Sequence, residues 1–231
     1  MKISNPVRNK FLNGANEVKY PTLNEEKKLW KKGFKRVACL DEAGRGCLAG
    51  PVVAAAVIIK DKKLNRAKLL RLNLDSINDS KKLSPKKREG FYKILTKHPQ
   101  IKWGIGRVSE KVIDKINILE ATKLAMEKAI KKIKPKPDFL ILDGNMKLKI
   151  NIPQKSIIKA DEKVFSCAAA SIIAKVTRDR IMERYHKKYP RYGFSKHKGY
   201  PTKMHRKKLK KYGPCKIHRK SFRPVKDCKI K

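Results

Sequence analysis

The sequence predicts an α/β layer protein, a mixed sheet flanked by helices. Three observations carry that expectation. Apolar runs at residues 36–40 and 51–59 come first and close together, with a glycine-rich stretch between them, as in a strand–turn–strand unit. Further apolar runs at 101–108, 138–143 and 155–159 then alternate with helical patterns. With 231 residues, 40% of them hydrophobic, the chain can bury one substantial core and at most a small appendage.

Taken in order, residues 1–35 are polar, Lys-rich and weakly periodic, and read as a partly ordered basic extension with a short helix at 24–32. The main domain spans 36–185. Ser84 followed by Pro85 is an N-cap with proline at the first helical position, so a helix should run from there to about Lys97. The run at 101–108 alternates as a strand does. In the next helix Ile118, Leu119, Thr122, Ala125, Met126, Ala129, Ile130 and Ile133 share one face, with Lys123, Lys128, Lys131 and Lys132 off it. Pro135 and Pro137 end it. The run 138–143 is a buried-type strand that stops at Asp143 and Gly144, and 155–159 is another, ending near Asp161. Residues 164–189 form a second long helix, whose Ala168, Ala169 and Ala170 allow close packing on the sheet and which Pro190 stops. Residues 186–231 form a basic, helical C-terminal segment, with a last helix at 202–212.

Charge bounds the partner. The formal net charge of +41 makes a polyanion the default, because Lys and Arg that neutralise phosphates release condensed counterions. The charge is concentrated: residues 186–231 hold eighteen Lys and Arg against one acid, Asp227. Five cysteines without a CxxC pair argue against a disulfide framework and fit a reducing compartment. Cys215 and His218, with Cys228 and His205 nearby, could begin a zinc site, but the paired ligand spacing is missing. The longest strongly apolar run, 52–59, is far short of a membrane span, and no secretory h-region is visible, so the cytoplasm is expected.

Four acids stand where acids need a reason. Asp41 and Glu42 follow a strand, Asp143 ends one and Asp161 sits just past another. The C-terminal ends of strands line the functional edge of such sheets, so the four could converge. Clustered carboxylates repel, and a shared cation makes the cluster tolerable. Oxygen ligands suit Mg²⁺ or Mn²⁺, and two such ions could clamp the attacking and leaving oxygens of a phosphodiester. Each acid also has an ordinary reading. Asp143 with Gly144 is a turn dipeptide, Asp161 could cap the following helix, and Asp41 with Glu42 could lie in a solvated loop. Gly44, Arg45 and Gly46 could let the backbone approach a sugar–phosphate, or could simply make a tight turn.

A longer set of motifs goes further. The run 40–46 (LDEAGRG) with 48–55 (LAGPVVAA) resembles the opening signature of ribonuclease HII. The similarity continues in order through 79–84 (DSKKLS), 117–122 (NILEAT), 142–145 (LDGN), 168–179 (AAASIIAKVTRD), 192–194 (YGF), 197–200 (HKGY) and 218–222 (HRKSF), so that about 36–225 is covered. The resemblance implies a ribonuclease H-like fold with a helical C-terminal part. It implies hydrolysis of the RNA strand of RNA–DNA hybrids, and cutting 5′ of single ribonucleotides in duplex DNA, leaving 3′-hydroxyl and 5′-phosphate ends. Such an enzyme removes misincorporated ribonucleotides and RNA primers, and is expected to act as a monomer. By motif position Asp41, Glu42, Asp143 and Asp161 would be the catalytic, metal-binding acids, holding two Mg²⁺ or Mn²⁺ ions. Gly44, Arg45 and Gly46 would read the 2′-hydroxyl, and Tyr200 would stack on the sugar beside the junction; without the resemblance Tyr200 reads as a core tyrosine. The competing readings are a ribonuclease HIII-like enzyme, for which 35 N-terminal residues are too few to form the extra domain, and a non-catalytic nucleic-acid-binding protein, which leaves the acids at strand ends unexplained.

Overall fold

The structure, a computed structural model, describes residues 20–60, Leu74, Ile77 and 83–228. Most of the expected N-terminal extension (1–19) and the motif residues 79–82 lie outside the described residues.

A five-stranded sheet runs in the order β3-β2-β1-β4-β5, formed by Val37–Ala43 (β1), Val52–Ile59 (β2), Ile101–Val108 (β3), Phe139–Asp143 (β4) and Gln154–Ile157 (β5). β2 pairs antiparallel with β1 and β3, whereas β1, β4 and β5 are mutually parallel. The mixed sheet expected from sequence is therefore present, and its register explains the composition of β2. All eight residues of that strand are buried, because β2 lies between two strands and under helices on both faces. Such a strand reads as a continuous apolar run rather than an alternating one.

Helices cover both faces of the sheet. On one face lies the long helix Glu110–Lys132 (α3), whose Ala121, Ala125, Met126 and Ala129 pack on Leu40, Ala54 and Ala56. Its path breaks at Asn117 (φ 63°, ψ 170°), whose side-chain oxygen accepts from the Leu119 and Glu120 amides at 2.9 and 3.1 Å. Asn117 thus caps the portion read from its apolar period, on which Leu119 departs from the expectation: placed on the apolar face by that period, it is 41% exposed. On the other face Phe165–Lys188 (α5) lays Ala168, Ala169 and Ala170 against Ala55 and Val57, and Pro85–Lys97 (α2) adds Phe91 and Leu95 to the same core. Ser84 caps α2 as expected, its hydroxyl accepting from the Lys87 amide at 3.3 Å.

The short helix Asn24–Lys31 (α1) docks through Glu26, which accepts from the Ser166 amide (3.1 Å) and hydroxyl (2.6 Å) and so caps α5 from a distant part of the chain. A single turn, Ala160–Lys163 (α4), precedes α5. Beyond α5, a 3-10 turn at Pro190–Tyr192, the single turn Phe194–His197 (α6) and the basic helix Lys203–Tyr212 (α7) make the helical C-terminal part. No helix among the described residues is long and apolar enough to cross a membrane.

Candidate active site

Because β1, β4 and β5 are parallel, their C-terminal ends share one edge of the sheet. The strand at β1 runs further than its apolar residues suggested: Asp41 and Glu42 lie within it, opposite Ala55 and Ala54, rather than in the turn beyond. Alternation sends the buried Asp41 to the α5 side, where the Ser171 hydroxyl bonds it, and Glu42 to the opposite side. Asp143 is the last residue of β4, and its carboxylate accepts from the Ala160 amide at 2.6 Å, at the start of α4. Asp161 is the next residue of that turn and is buried. The cap on α4 therefore comes from Asp143, and the charges of Asp143 and Asp161 both reach Asp41.

The electrostatics record the convergence. Burial raises the Asp41 carboxyl well above the usual carboxylate range, and the charges of Glu42, Asp143 and Asp161 raise it further, against the Ser171 hydrogen bond. An all-carboxylate donor set of this kind fits a hard divalent cation, which would remove the repulsion that Asp41 feels. Among the described residues no three His, Cys, Asp or Glu side chains are already set to hold an ion outright. Asp41 lies in the field of the other three acids, without the four being closed around a common point.

Beside them is the 44–46 turn. Gly44 has φ +96°, and a Cβ there would lie 2.0 Å from Arg178 Nε. Only glycine fits both the backbone and the space. Arg45 reaches back to Glu42, Nη1 to Oε1, at 3.4 Å. Two fully buried arginines fix this loop. Arg219 donates to the carbonyls of Gly44 (2.7 Å), Arg45 (2.8 Å) and Gly50 (3.0 Å). Arg178 donates to those of Ala49 (3.1 Å), Pro51 (2.9 Å) and Lys198 (2.8 Å). Arg178 thereby joins the loop to the turn that carries Tyr200, and a Leu48 amide bond to the Gly199 carbonyl (2.8 Å) makes a second join.

Tyr200 is 36% exposed as a residue, more than a core tyrosine would be. Lys175 Nζ and Arg178 Cζ stand 5.4 and 5.7 Å from its ring centre, and burial of its hydroxyl beside Cys47 pushes that group up to about 12. In the basic C-terminal part, Arg191, Lys208 and Lys211 surround the Tyr212 ring at 5.4–5.7 Å. The zinc arrangement does not form. Cys215 and His205 meet His218, but Cys228 packs elsewhere, with Leu48, Leu209 and Val225.

Sequence reasoning gave no role to Ser171, Arg178 or Arg219. In a chain with 61 Lys and Arg, two buried arginines carry no compositional signal.

A family model for ribonuclease HII matches residues 38–225. Ribonuclease HII of Alkaliphilus oremlandii is 45% identical over 200 residues, covering 84% of this chain and 93% of that protein. Ribonuclease HII of Acetivibrio thermocellus is 52% identical over 188 residues, covering 81% of this chain and 70% of its own length. The crystal structure of ribonuclease H2 from Pyrococcus horikoshii superposes with a TM-score of 0.65 at 31% identity, covering 83% of this chain and 96% of its own.

Proposed function

The chain belongs to the ribonuclease HII family, enzymes that hydrolyse the RNA of RNA–DNA hybrids, and on that premise we propose that it cuts on the 5′ side of a ribonucleotide, including a single one embedded in duplex DNA. The observation that carries the reading is the convergence of Asp41, Glu42, Asp143 and Asp161 at one sheet edge, directly beside the 44–46 turn and, through Arg178, the Tyr200 ring. Family membership sets aside the ribonuclease HIII alternative and the non-catalytic one.

In this reading the four carboxylates would hold two Mg²⁺ or Mn²⁺ ions, which would supply positive charge to offset the negative charge that builds up as the phosphodiester is cut. The chain's own residues do the rest. Ser171 and the Glu42 amide (2.6 Å) orient Asp41, and the Ala160 amide orients Asp143. A water oxygen bonds to phosphorus and the bond from phosphorus to O3′ breaks, leaving a 3′-hydroxyl and a 5′-phosphate on the ribonucleotide. The 44–46 turn reads the 2′-hydroxyl, which is both donor and acceptor. The Gly44 and Arg45 carbonyls each accept from Arg219, which fixes the direction in which the backbone of the turn faces. Tyr200 stacks on the neighbouring sugar, and the basic segment 186–231 tracks phosphates without reading bases. The role is removal of misincorporated ribonucleotides and RNA primers, by a cytoplasmic monomer.

The test is a duplex with one ribonucleotide, compared with the same duplex carrying 2′-deoxy or 2′-O-methyl at that position, with Mg²⁺, with Mn²⁺ and with chelator. Cleavage of the ribonucleotide duplex alone, dependent on metal, is expected. Equal cutting of the all-DNA duplex would show the turn to be structural and the enzyme a general nuclease.

A further inference from the structure

Behind the 44–46 turn and the Tyr200 turn lies a histidine cluster that the cleavage chemistry does not use. His197, His205 and His218 are all buried, and the His197 and His205 rings stack at 4.2 Å. Their hydrogen bonds assign the protons. His205 Nδ1 lies 2.9 Å from the Tyr200 carbonyl. A carbonyl only accepts, so Nδ1 carries a proton, and in a neutral ring Nε2 is then an acceptor. That Nε2 lies 3.1 Å from His218 Nε2, which must therefore donate. His218 Nδ1 is then bare, as it must be to accept from the Cys215 amide at 2.9 Å. No atom is asked to play two roles. Burial keeps both rings neutral, lowering His205 to about 4 and His218 to about 3.

The two ends of this pair are anchored on different parts of the site. His205 holds the carbonyl of Tyr200 itself. The backbone of His218 pairs with Ala49 as an antiparallel bridge, flanked by bonds from Gly50 to the Ile217 carbonyl and from Arg219 to the Leu48 carbonyl, each 2.8 Å. The neighbouring Arg219 side chain holds Gly44 and Arg45. A continuous path therefore runs from the Tyr200 backbone through two imidazoles to the segment that grips the glycine turn. Arg178 on the Lys198 carbonyl and the Leu48 amide on the Gly199 carbonyl already join the two turns, and the histidine pair adds a third hold at the next residue, on the backbone of Tyr200 itself.

We propose that His205 and His218 act as a positioning pair that sets the Tyr200 ring against the 44–46 turn, so that a ribose at the scissile junction enters a gap of fixed width. The proposal rests on the reading of the turn and the ring as the ribose-recognising groups. His205 and His218 touch neither substrate nor metal; they act through Tyr200 and Arg219.

Nitrogen NMR of the full chain tests the polarity directly: His205 should be the Nδ1–H tautomer and His218 the Nε2–H tautomer, with both rings neutral at pH 7. The reverse assignment, or a charged ring, would overturn the proposal whatever the kinetics. His205→Phe keeps a ring against His197 and Phe194 but removes donor and acceptor. His205→Asn leaves an amide N–H about where Nδ1 stood. On a duplex with one ribonucleotide, His205→Phe should raise KM about tenfold with kcat within about twofold, and His205→Asn should recover most of that loss. In a Tyr200→Ala background, His205→Phe should add less than about twofold, because the group it positions is gone. Full additivity of the two changes would sink the pair. If Tyr200→Ala is impaired but His205→Phe is not, the positioning role alone is wrong. If Tyr200→Ala itself behaves as the unaltered enzyme does, the ribose-recognition reading fails and the proposal with it.

Discussion

Replacing Gly44 by alanine should separate the frame of the site from its chemistry. The added Cβ would stand 2.0 Å from Arg178 Nε, 2.6 Å from Cδ and 2.8 Å from Cζ. These atoms belong to a fully buried side chain held at three carbonyls, at 2.8–3.1 Å, and not to the loose end of a surface arginine. To restore ordinary contact, Nε must retreat by roughly 1.4 Å, which ends its bond to Pro51 and misaligns the other two. A hydrogen bond from a charged donor contributes about 1.5–3 kcal/mol, so losing one and weakening a second costs about 3–4 kcal/mol. Alanine at φ +96° adds about 1 kcal/mol. A total near 4–5 kcal/mol is a large share of the ~5–15 kcal/mol typical of a domain. Urea unfolding with chelator present, so that no cation contributes, measures it. Gly46→Ala is the control: its Cβ would meet nothing within 4 Å, and stability should change by less than about 0.5 kcal/mol. A Gly44→Ala midpoint indistinguishable from that of Gly46→Ala would refute the view that Arg178 is rigidly committed. Gly46→Ala should instead raise KM for the ribonucleotide duplex, since its methyl enters the space assigned to substrate.

Three further outcomes follow from the geometry. Asp143→Asn should lower cleavage by at least about 10³-fold while duplex affinity stays within about threefold, because one carboxylate of the cluster is lost and the basic contacts are untouched; near-normal turnover would remove the two-ion assignment. Neutralising Lys207, Lys208, Lys210 and Lys211 should weaken binding about equally for every sequence and flatten the slope of log K against log salt by about 0.9 per real contact; an unchanged slope would mean that these lysines face away from the duplex. His205 and His218 are depressed in the folded state, to about 4 and about 3, from the ordinary 6.5. Stability should therefore be intact above pH 6.5 and decline as pH falls toward those values. At pH 5 each of the two costs about 2 kcal/mol, so the urea midpoint should fall between pH 7 and pH 5, and it should fall by clearly less in His205→Phe than in the unaltered protein.

What could be read before folding, and what could not, divides along physical lines. Elements announced by apolar period and capping chemistry, such as α2 behind Ser84 and Pro85, lie where the pattern puts them. The end of β1 is not legible from apolar residues alone, because ladder pairing depends on the backbone and carries Asp41 and Glu42 opposite Ala55 and Ala54. That the acids meet could be argued only from the general geometry of parallel strands; that Asp143 caps α4 through Ala160 depends on a contact across seventeen residues and needed the structure. Tyr200 carried no local signal to separate a buried ring from a presented one. Arg178 and Arg219 were illegible for a different reason: their partners are main-chain carbonyls, which have no letter in the sequence.

That last feature has an evolutionary consequence. The six carbonyls that the two arginines hold belong to Gly44, Arg45, Ala49, Gly50, Pro51 and Lys198, and exchanging a side chain does not remove a carbonyl. Drift at Arg45 or Lys198 can retune what these turns present to a nucleic acid while the scaffold beneath them stays as it is. The converse does not hold, since each arginine supplies three donors from one codon. In a saturation library the turns should therefore tolerate change at their exposed positions, and intolerance should concentrate at residues 178 and 219, far apart in the chain and invisible from the surface.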